Sequence, residues 1–349
     1  MINYFSYPSK EDRCCTSFLQ LFFTRSTVHF FNKTCLFFSC LLLASLVQGY
    51  EQPAVNLGFT SFLDGGPPAG KGLYFTEYLQ FYTADDFTNR HGDSNTLFPE
   101  KDPDLDVWVA LSQFIYMSDQ KVLFGGKWGA EIIIPYVNLD LKFDKIDAIS
   151  DNSSGLGDIV VAPFLQWDPV MGENGPLFMH RIEFEFIVPT GKYNSKHSLN
   201  PGSNFFSFNP YWAATLFITP KLTASTRIHY LWNAKNNDPS KEAAPTSPFF
   251  NARDVQAGQA MHGNFAVAYE VIANRLRLGL NGYYFKQISN TEVNGHEISG
   301  TKEQVLGIGP GMVYHFSKHD HLFFNSYFET AAENRTEGLR LNLRFTHHF

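Results

Sequence analysis

The sequence predicts an all-β fold, namely a transmembrane antiparallel β-barrel of about 12 strands with short periplasmic turns and longer extracellular loops. Three observations lead to this prediction. Apolar and polar residues alternate with period two along most of the chain after residue 72. The alternating segments are long enough for the roughly 9–11 residues that a tilted strand needs to cross a bilayer. Short and long links between the segments follow one another, which is typical of outer-membrane barrels.

The composition argues against several other classes of protein. The chain has 349 residues and a net charge of −7, with 17% charged and 16% aromatic residues. Its mean hydropathy is −0.19, so the apolar residues are interspersed with polar ones. Many aromatic and few charged residues argue against disorder, and a helical membrane protein would need apolar runs of about 18 residues. An acidic chain without a basic stripe is not expected to bind nucleic acid.

Residues 1–49 are interpreted as a leader. Lys33 precedes the apolar stretch Leu36–Val47, and small residues lie near its end, which is the pattern of a signal peptide at 28–49 with cleavage after Gly49. Residues 1–27 do not fit a short basic start, and we interpret them as upstream sequence from a mis-assigned translation start. All four cysteines precede residue 50, so no disulfide framework or thiolate metal site is expected after it.

The mature chain is predicted to have two parts. Residues 50–71 are expected to form an N-terminal periplasmic segment, in which Gly65–Gly70 makes a rigid turn leading into the first strand or a short periplasmic plug segment. Residues 72–349 are expected to form the barrel. The predicted strands are 72–84, 105–118, 127–139, 155–167, 177–189, 206–219, 221–234, 259–271, 275–288, 304–316, 320–331 and 337–349.

The alternation is clearest in the last strand, where Leu and Phe alternate with Arg, Asn and Thr over Leu339–Thr346. We expect the apolar row to face lipid and the polar row to face the lumen. The first two strands are ambiguous, because both rows of 73–83 carry aromatic residues and Glu77 lies in the more apolar row. Aromatic residues near strand ends are expected to form interfacial girdles: Trp128, Tyr136, Trp167, Trp212, Tyr230 and Trp232.

The links set the orientation. Those after even-numbered strands are mostly short, such as Asp119–Gln120, and those after odd-numbered strands are mostly long, such as Lys235–Gly258. An even strand number places both termini in the periplasm, and we expect the outer-membrane assembly machinery to recognise the last strand, which ends in Phe349. The alternative is a soluble sandwich or lipocalin-like barrel with its apolar face inward. The signal peptide, segment length and link pattern favour the membrane barrel, with outer-membrane lipid around it.

A series of motifs covers nearly the whole mature chain: Asn56–Gly70, Leu105–Val109, Gly125–Gly129, Gly155–Asp158, Leu165–Pro169, Phe186–Tyr193, Asn200–Trp212, His229–Asn236 and Phe328–Arg335. In these motifs the chain resembles the phenol meta-pathway degradation-like family of outer-membrane transport proteins. The resemblance implies a barrel that imports small hydrophobic or aromatic solutes. It implies no catalytic residues and no cofactor.

The polar row carries charges of both signs that we expect to line the lumen and the solute path: Glu131, Arg181, Glu183, Glu185, Arg227, His229, Glu270, Arg277, Glu329, Arg340 and Arg344. One interpretation is a charged constriction that selects solutes. The other is a network of ion pairs that fills the barrel, because buried charges need partners in either case.

The sequence therefore predicts an outer-membrane channel for passive uptake of small hydrophobic or aromatic compounds, and no enzyme. An outer-membrane hydrolase such as a phospholipase is one alternative, but the only adjacent pair of suitable residues is His197–Ser198, beside the turn sequence Asn200–Gly202. His319 and His321 do not show the spacing of metal ligands. A sealed structural or surface barrel is the other alternative.

Overall fold

The computed structural model describes residues 52–66, 70–94, 104–142, 150–243 and 247–349, which form a closed antiparallel β-barrel. Each crossing of the wall pairs with the next crossing along the chain, and the first pairs with the last, so the barrel has twelve crossings and no free edge. The predicted fold class is confirmed. The predicted leader, 1–49, lies outside the described residues.

The strands, in chain order, are β1 (Gly72–Phe87), β2 (Asp104–Lys121), β3 (Lys127–Lys142), β4 (Ser154–Leu156), β5 (Ile159–Gln166), β6 (Val170–Gly172), β7 (Gly175–Glu183), β8 (Phe186–Val188), β9 (Ser207–Phe208), β10 (Tyr211–Phe217), β11 (Leu222–Asn233), β12 (Val255–Gln256), β13 (Ala260–Ile272), β14 (Leu276–Gln287), β15 (Thr291–Val293), β16 (His296–Ile298), β17 (Gln304–His315), β18 (Asp320–Glu333) and β19 (Thr336–His348). A 3-10 turn, Leu123–Gly125, follows β2. Within the described part of the chain, no helix is long and apolar enough to span a bilayer.

Alternation sets which side chains enter the barrel. In β19, Asn342 and Arg344 are buried inside, whereas Leu343 and Phe345 point outward and are 39% and 37% exposed. The same order holds in β11, where Arg227 is inside. Because strand side chains alternate between the two faces, one register fixes the whole row. The predicted assignment of the polar row to the interior agrees with these strands.

Three neighbouring crossings are each split into two strands, where the sequence predicted continuous ones. The breaks lie at 157–158 between β4 and β5, at 184–185 between β7 and β8, and at 209–210 between β9 and β10. Proline contributes to two of these breaks, because Pro163, opposite 184–185, and Pro210, at 209–210, have no N–H to donate to a ladder. Single backbone hydrogen bonds bridge the gaps, such as the 3.0 Å bond from the Phe184 N–H to the Pro163 carbonyl.

A small second sheet lies in the long loops and was not predicted. It consists of β12, β15 and β16, and Phe249 and Ala252 are buried against its two buried valines. Asn294 and Gly295 join β15 to β16 with φ values of 52° and 80°. An Asn-Gly pair with two positive φ angles is typical of a tight hairpin turn. That dipeptide is the sequence signal that would have found this hairpin.

The N-terminal segment differs most from expectation. We predicted a periplasmic segment at 50–71, but residues 52–66 lie inside the barrel and bond to the inner faces of its strands. We call residues 52–66 the plug segment. The prediction was wrong for these residues because their partners lie on strands that follow far along the chain, and no local pattern announces such pairing.

Candidate functional site in the barrel lumen

A cavity of about 340 Å³ lies between the plug segment and one side of the barrel wall. It extends from loop residues 198–203, at the end of the barrel with the long loops, to Glu131 in the other half. Its wall side is apolar and is formed by Val107, Val109, Leu111, Ile133, Pro135, Val137, Leu139, Val160 and Ile187. The cavity is therefore a compartment with one apolar wall inside the lumen.

This apolar wall was not predicted, because we expected polar rows to face the lumen and the second strand was ambiguous. The inner row of β2 runs Leu105, Val107, Val109, Leu111, Gln113, Ile115 and Met117. Its outer row also contains large apolar residues, including Trp108 and Phe114, which are 56% and 49% exposed. When both rows are apolar, alternation does not show which one faces inward.

Two apolar side chains anchor the plug segment to the opposite side of the lumen. Leu57 is 6% exposed and packs with Tyr283 and Tyr327, and Phe62 is 1% exposed and packs with Phe323 and neighbouring small residues. Burying such side chains stabilises the arrangement by about 1.5–3 kcal/mol each. The plug segment is thus held by its own hydrophobic contacts as well as by polar ones.

Gly58 lies in close contact with the barrel wall. Its carbonyl accepts from the Tyr327 hydroxyl (2.9 Å) and from Asn342 (3.1 Å), and its N–H donates to Asn264 (3.0 Å). Its φ is +80°, and a Cβ there would lie 2.5 Å from the Tyr327 ring. Only glycine fits both the backbone conformation and the space.

A buried ion pair joins the plug segment to β11. Arg227 donates from Nε and Nη2 to the two carboxylate oxygens of Asp64, at 2.8 and 2.7 Å. Both side chains are nearly inaccessible, and Arg227 also lies over the Tyr211 ring at 4.0 Å. A two-point pair of this kind fixes orientation as well as charge. Arg227 was a predicted lumen residue, whereas Asp64 was not, because its partner is 163 residues away.

Glu131, Arg181 and Glu183 form a second buried cluster. Arg181 donates to Glu131 at 3.1 Å and is also paired with Glu183. Gln113 donates to the other oxygen of Glu131 (2.6 Å), and the Tyr211 hydroxyl donates to Glu183 (2.6 Å). These predicted residues are brought together, and two neutral side chains, Gln113 and Tyr211, also bond to them.

Glu185 and His229 lie in a third group beside the break between β7 and β8. Asn209 donates to Glu185 (2.5 Å), and His262 donates to Asn209 (3.0 Å). His229 is fully buried, stacks on His262 with ring centroids 4.1 Å apart, and has its Nδ1 atom 3.7 Å from Glu185. Glu185 and His229 were predicted from the sequence, whereas Asn209 and His262 were not.

Glu329 and Arg340 pair at 3.3 Å in the half of the barrel near the long loops. The hydroxyls of Tyr82 and Tyr283 also donate to Glu329, at 2.8 and 2.5 Å, and Arg340 lies over the Tyr82 ring at 4.3 Å. The tyrosines face inward from β1 and β14, so the carboxylate has several donors. This cluster lies along one side of the plug segment.

The last three predicted residues lie in the other half of the barrel. Arg277 donates to Glu270 at 2.9 Å. Arg344 lies 3.6 Å from the centre of the Phe323 ring. Among the described residues no carboxylate lies within 4.0 Å of Arg344. The predicted charges therefore separate into paired groups and one arginine without a carboxylate partner.

The sequence of this barrel matches a known protein family. Residues 84–345 match the family described as "Putative MetA-pathway of phenol degradation". The chain belongs to this family. A search of curated proteins found no match.

This family member also resembles solved outer-membrane barrels. One is an outer membrane channel from Pseudomonas putida F1, with a TM-score of 0.68, 18% identity, and coverage of 85% of this chain and 100% of that chain. This likeness shows the fold. Two further matches are the β domain of the Bordetella autotransporter BrkA (TM-score 0.44, 11% identity, 80% and 100% coverage) and a Pseudomonas aeruginosa FadL homologue (TM-score 0.38, 11% identity, 85% and 99% coverage).

A Ser, a His and a Glu do converge in the long loops of this family member, but not as a hydrolase needs them. The Ser150 hydroxyl donates to Glu242 (2.6 Å) and lies 2.7 Å from His197 Nδ1. The Ser198 hydroxyl also donates to Glu242 (2.5 Å). In a catalytic triad the carboxylate contacts the histidine and the histidine accepts the serine proton. Here the serine hydroxyl donates its hydrogen bond directly to the carboxylate. Ser150, His197 and Glu242 therefore connect the loops to one another.

Histidines also gather at the ends of β17, β18 and β19. His315 and His321 approach at 2.7 Å between Nδ1 atoms, and His347 lies 2.7 Å from Asp320. Within the described ranges, however, no three His, Cys, Asp or Glu side chains are arranged to hold a metal ion. The groups are hydrogen-bonded pairs at the rim of the barrel.

Proposed function

We propose that this barrel is an outer-membrane channel for passive uptake of small hydrophobic or aromatic compounds. The observation that carries the proposal is the 340 Å³ cavity with an apolar wall, which extends inward from the long loops. Ligand cavities of about 300–1,000 Å³ lined mainly by apolar residues suit small organic molecules. The family description, which names phenol degradation, agrees in chemical class.

The direction of the path rests on the orientation of the barrel, which we take with the long loops outside the cell. A solute then enters past residues 198–203 and moves along the inner rows of β2 and β3. The plug segment forms the opposite wall of this path and narrows it. Export through a cleaved signal peptide at 28–49 and assembly through the strand that ends in Phe349 belong to the same proposal.

The test blocks the cavity without changing the outside of the barrel. Val109 lines the cavity, and the next residue, Ala110, points outward from the same strand. Val109→Trp should reduce uptake of radiolabelled phenol by intact cells to the level of cells without the protein. Ala110→Trp is the matched control, because it adds the same side chain on the lipid side, and it should retain uptake.

Two results would overturn the proposal. One is uptake by the Val109→Trp variant equal to that of the parent while both variants assemble equally, judged by heat-modifiable gel mobility. The other is uptake that never depends on the protein. The second result would favour a sealed structural barrel, in which the paired charges and the plug segment only fill the lumen.

A further inference from the structure

Arg344 differs from the other buried arginines of the lumen. Arg181, Arg227, Arg277 and Arg340 each pair with a carboxylate within 4.0 Å. Arg344 is 8% exposed, its Nε has no hydrogen-bond partner, and no described residue places a carboxylate within that distance. A charged side chain that is almost fully buried normally has a counter-charge. The lack of a carboxylate partner for Arg344 among the described residues points to a ligand that supplies the counter-charge.

Arg344 lines a separate pocket of about 80 Å³ below the plug segment. The carboxylates that also line this pocket are Asp64 and Glu131. Both oxygens of Asp64 accept from Arg227, and the oxygens of Glu131 accept from Gln113 and Arg181. Both acids are therefore bonded to other arginines, and Arg344 has no carboxylate of its own in this pocket.

The small pocket adjoins the large cavity. Five residues line both spaces, namely Thr60, Tyr78, Gln113, Glu131 and Arg227. A molecule that reaches across this boundary meets the apolar side chains of β2 and β3 at one end and the guanidinium of Arg344 at the other. The Phe323 ring lies against the guanidinium and limits the positions that it can take.

We propose that Arg344 forms a carboxylate subsite and that the channel takes small acids with an apolar body, such as aromatic monocarboxylates. The planar guanidinium matches a carboxylate with two parallel hydrogen bonds. The acid group would occupy the 80 Å³ pocket and the apolar body the adjoining part of the large cavity. The inference rests on the proposed channel function for its solute path, but not for the binding itself.

Binding is measured on the full protein purified from outer membranes, by calorimetry in a zwitterionic buffer without added carboxylate or chloride salts. Sodium benzoate is the probe, and benzyl alcohol is the neutral control of similar shape. The parent protein should bind benzoate at least about tenfold more tightly than benzyl alcohol, because charge-assisted bonds are the stronger kind. This comparison needs no variant and does not depend on whether a variant folds.

Arg344→Gln should bring the ratio of the two affinities close to one, and Arg344→Lys should retain part of the preference. The matched control is the double variant Arg277→Gln with Glu270→Gln. It removes a paired arginine that lines neither space, and it should keep the preference of the parent.

Three results would overturn the subsite. They are equal affinity of the parent for benzoate and benzyl alcohol, an unchanged ratio in Arg344→Gln, and displacement of benzoate by an equal concentration of chloride. The last result would mean a non-selective site for small anions. If benzoate binds through Arg344 but phenol uptake never depends on the protein, the channel proposal fails and the subsite stands. If phenol uptake depends on the protein but benzoate does not bind through Arg344, the channel proposal stands and the subsite proposal fails.

Discussion

Removing the carboxylate of Asp64 is the most direct way to loosen the plug segment. Asp64→Ala leaves Arg227 buried with neither of its two hydrogen bonds to that carboxylate. Breaking a buried ion pair by deleting one partner costs about 3–5 kcal/mol. The 80 Å³ pocket beside the pair can admit water to the stranded guanidinium, so we expect the lower end, about 3 kcal/mol.

At about 1.4 kcal/mol for each factor of ten, this loss raises the population with a displaced plug segment about a hundredfold. Ser61 provides the reporter, because it is 2% exposed and its hydroxyl bonds to Asn325. The four native cysteines all precede residue 50 and can be replaced by serine. In a Ser61→Cys background, the rate of maleimide labelling then follows the population of the open form, provided that reclosing outpaces labelling.

Asp119→Ala is the control for this experiment. Asp119 also pairs with lysines, but its side chain is 59% exposed in a turn, and surface pairs of this kind contribute about 0–1 kcal/mol. Its labelling rate should equal that of the parent. A labelling rate for Asp64→Ala that also equals that of the parent would show that the ion pair does not hold the plug segment, and the reasoning above would be wrong.

Three further predictions concern the wall and its orientation. Leu343→Arg places a charge on the lipid-facing row and should lower the free energy of unfolding by about 2–4 kcal/mol near the bilayer midplane, as measured by urea titration in vesicles. Glu77 lies on the outer row of β1 and accepts a hydrogen bond from Ser112 (2.7 Å). The double variant Glu77→Leu with Ser112→Ala should therefore raise the urea midpoint of unfolding. A lower midpoint would argue against lipid contact at this position. An epitope tag after Lys241 should be reachable by antibody on intact cells and one after Asp119 should not, whereas equal reactivity would contradict the orientation.

The parts of the fold that the sequence predicts are those in which each strand has one apolar and one polar row. In β11 and β19 the charged row must face inward once the barrel is taken to lie in a membrane, so the burial of Arg227 and Arg344 then follows from alternation. The twelve crossings follow from the length and spacing of such segments. The predicted girdle residue Trp128 lies on the outer face of β3, 37% exposed, as this pattern requires.

The parts that the sequence does not predict depend on contacts between distant segments. Alternation says nothing about which partner a buried carboxylate will have, so Asp64 could not be assigned to Arg227. Nor does a polar row distinguish paired charges from an unpaired one, and the difference between Arg340 and Arg344 appears only when their neighbours are known. The breaks at 184–185 and 209–210 were missed for a similar reason, because the effect of a proline depends on the ladder that it interrupts.

The two sides of the lumen differ because the plug segment bonds to them unequally. Its polar contacts go mainly to β10, β11, β13, β18 and β19, through residues such as Thr215, Asn264 and Asn342. The inner rows of β2 and β3 offer it few hydrogen-bonding groups, so the plug segment leaves the space beside them open as the apolar-walled cavity. Polar side chains thus fix the plug segment, while apolar side chains keep a path beside it. In the proposed channel, an apolar solute would use this path without competing for the hydrogen bonds that hold the plug segment in place.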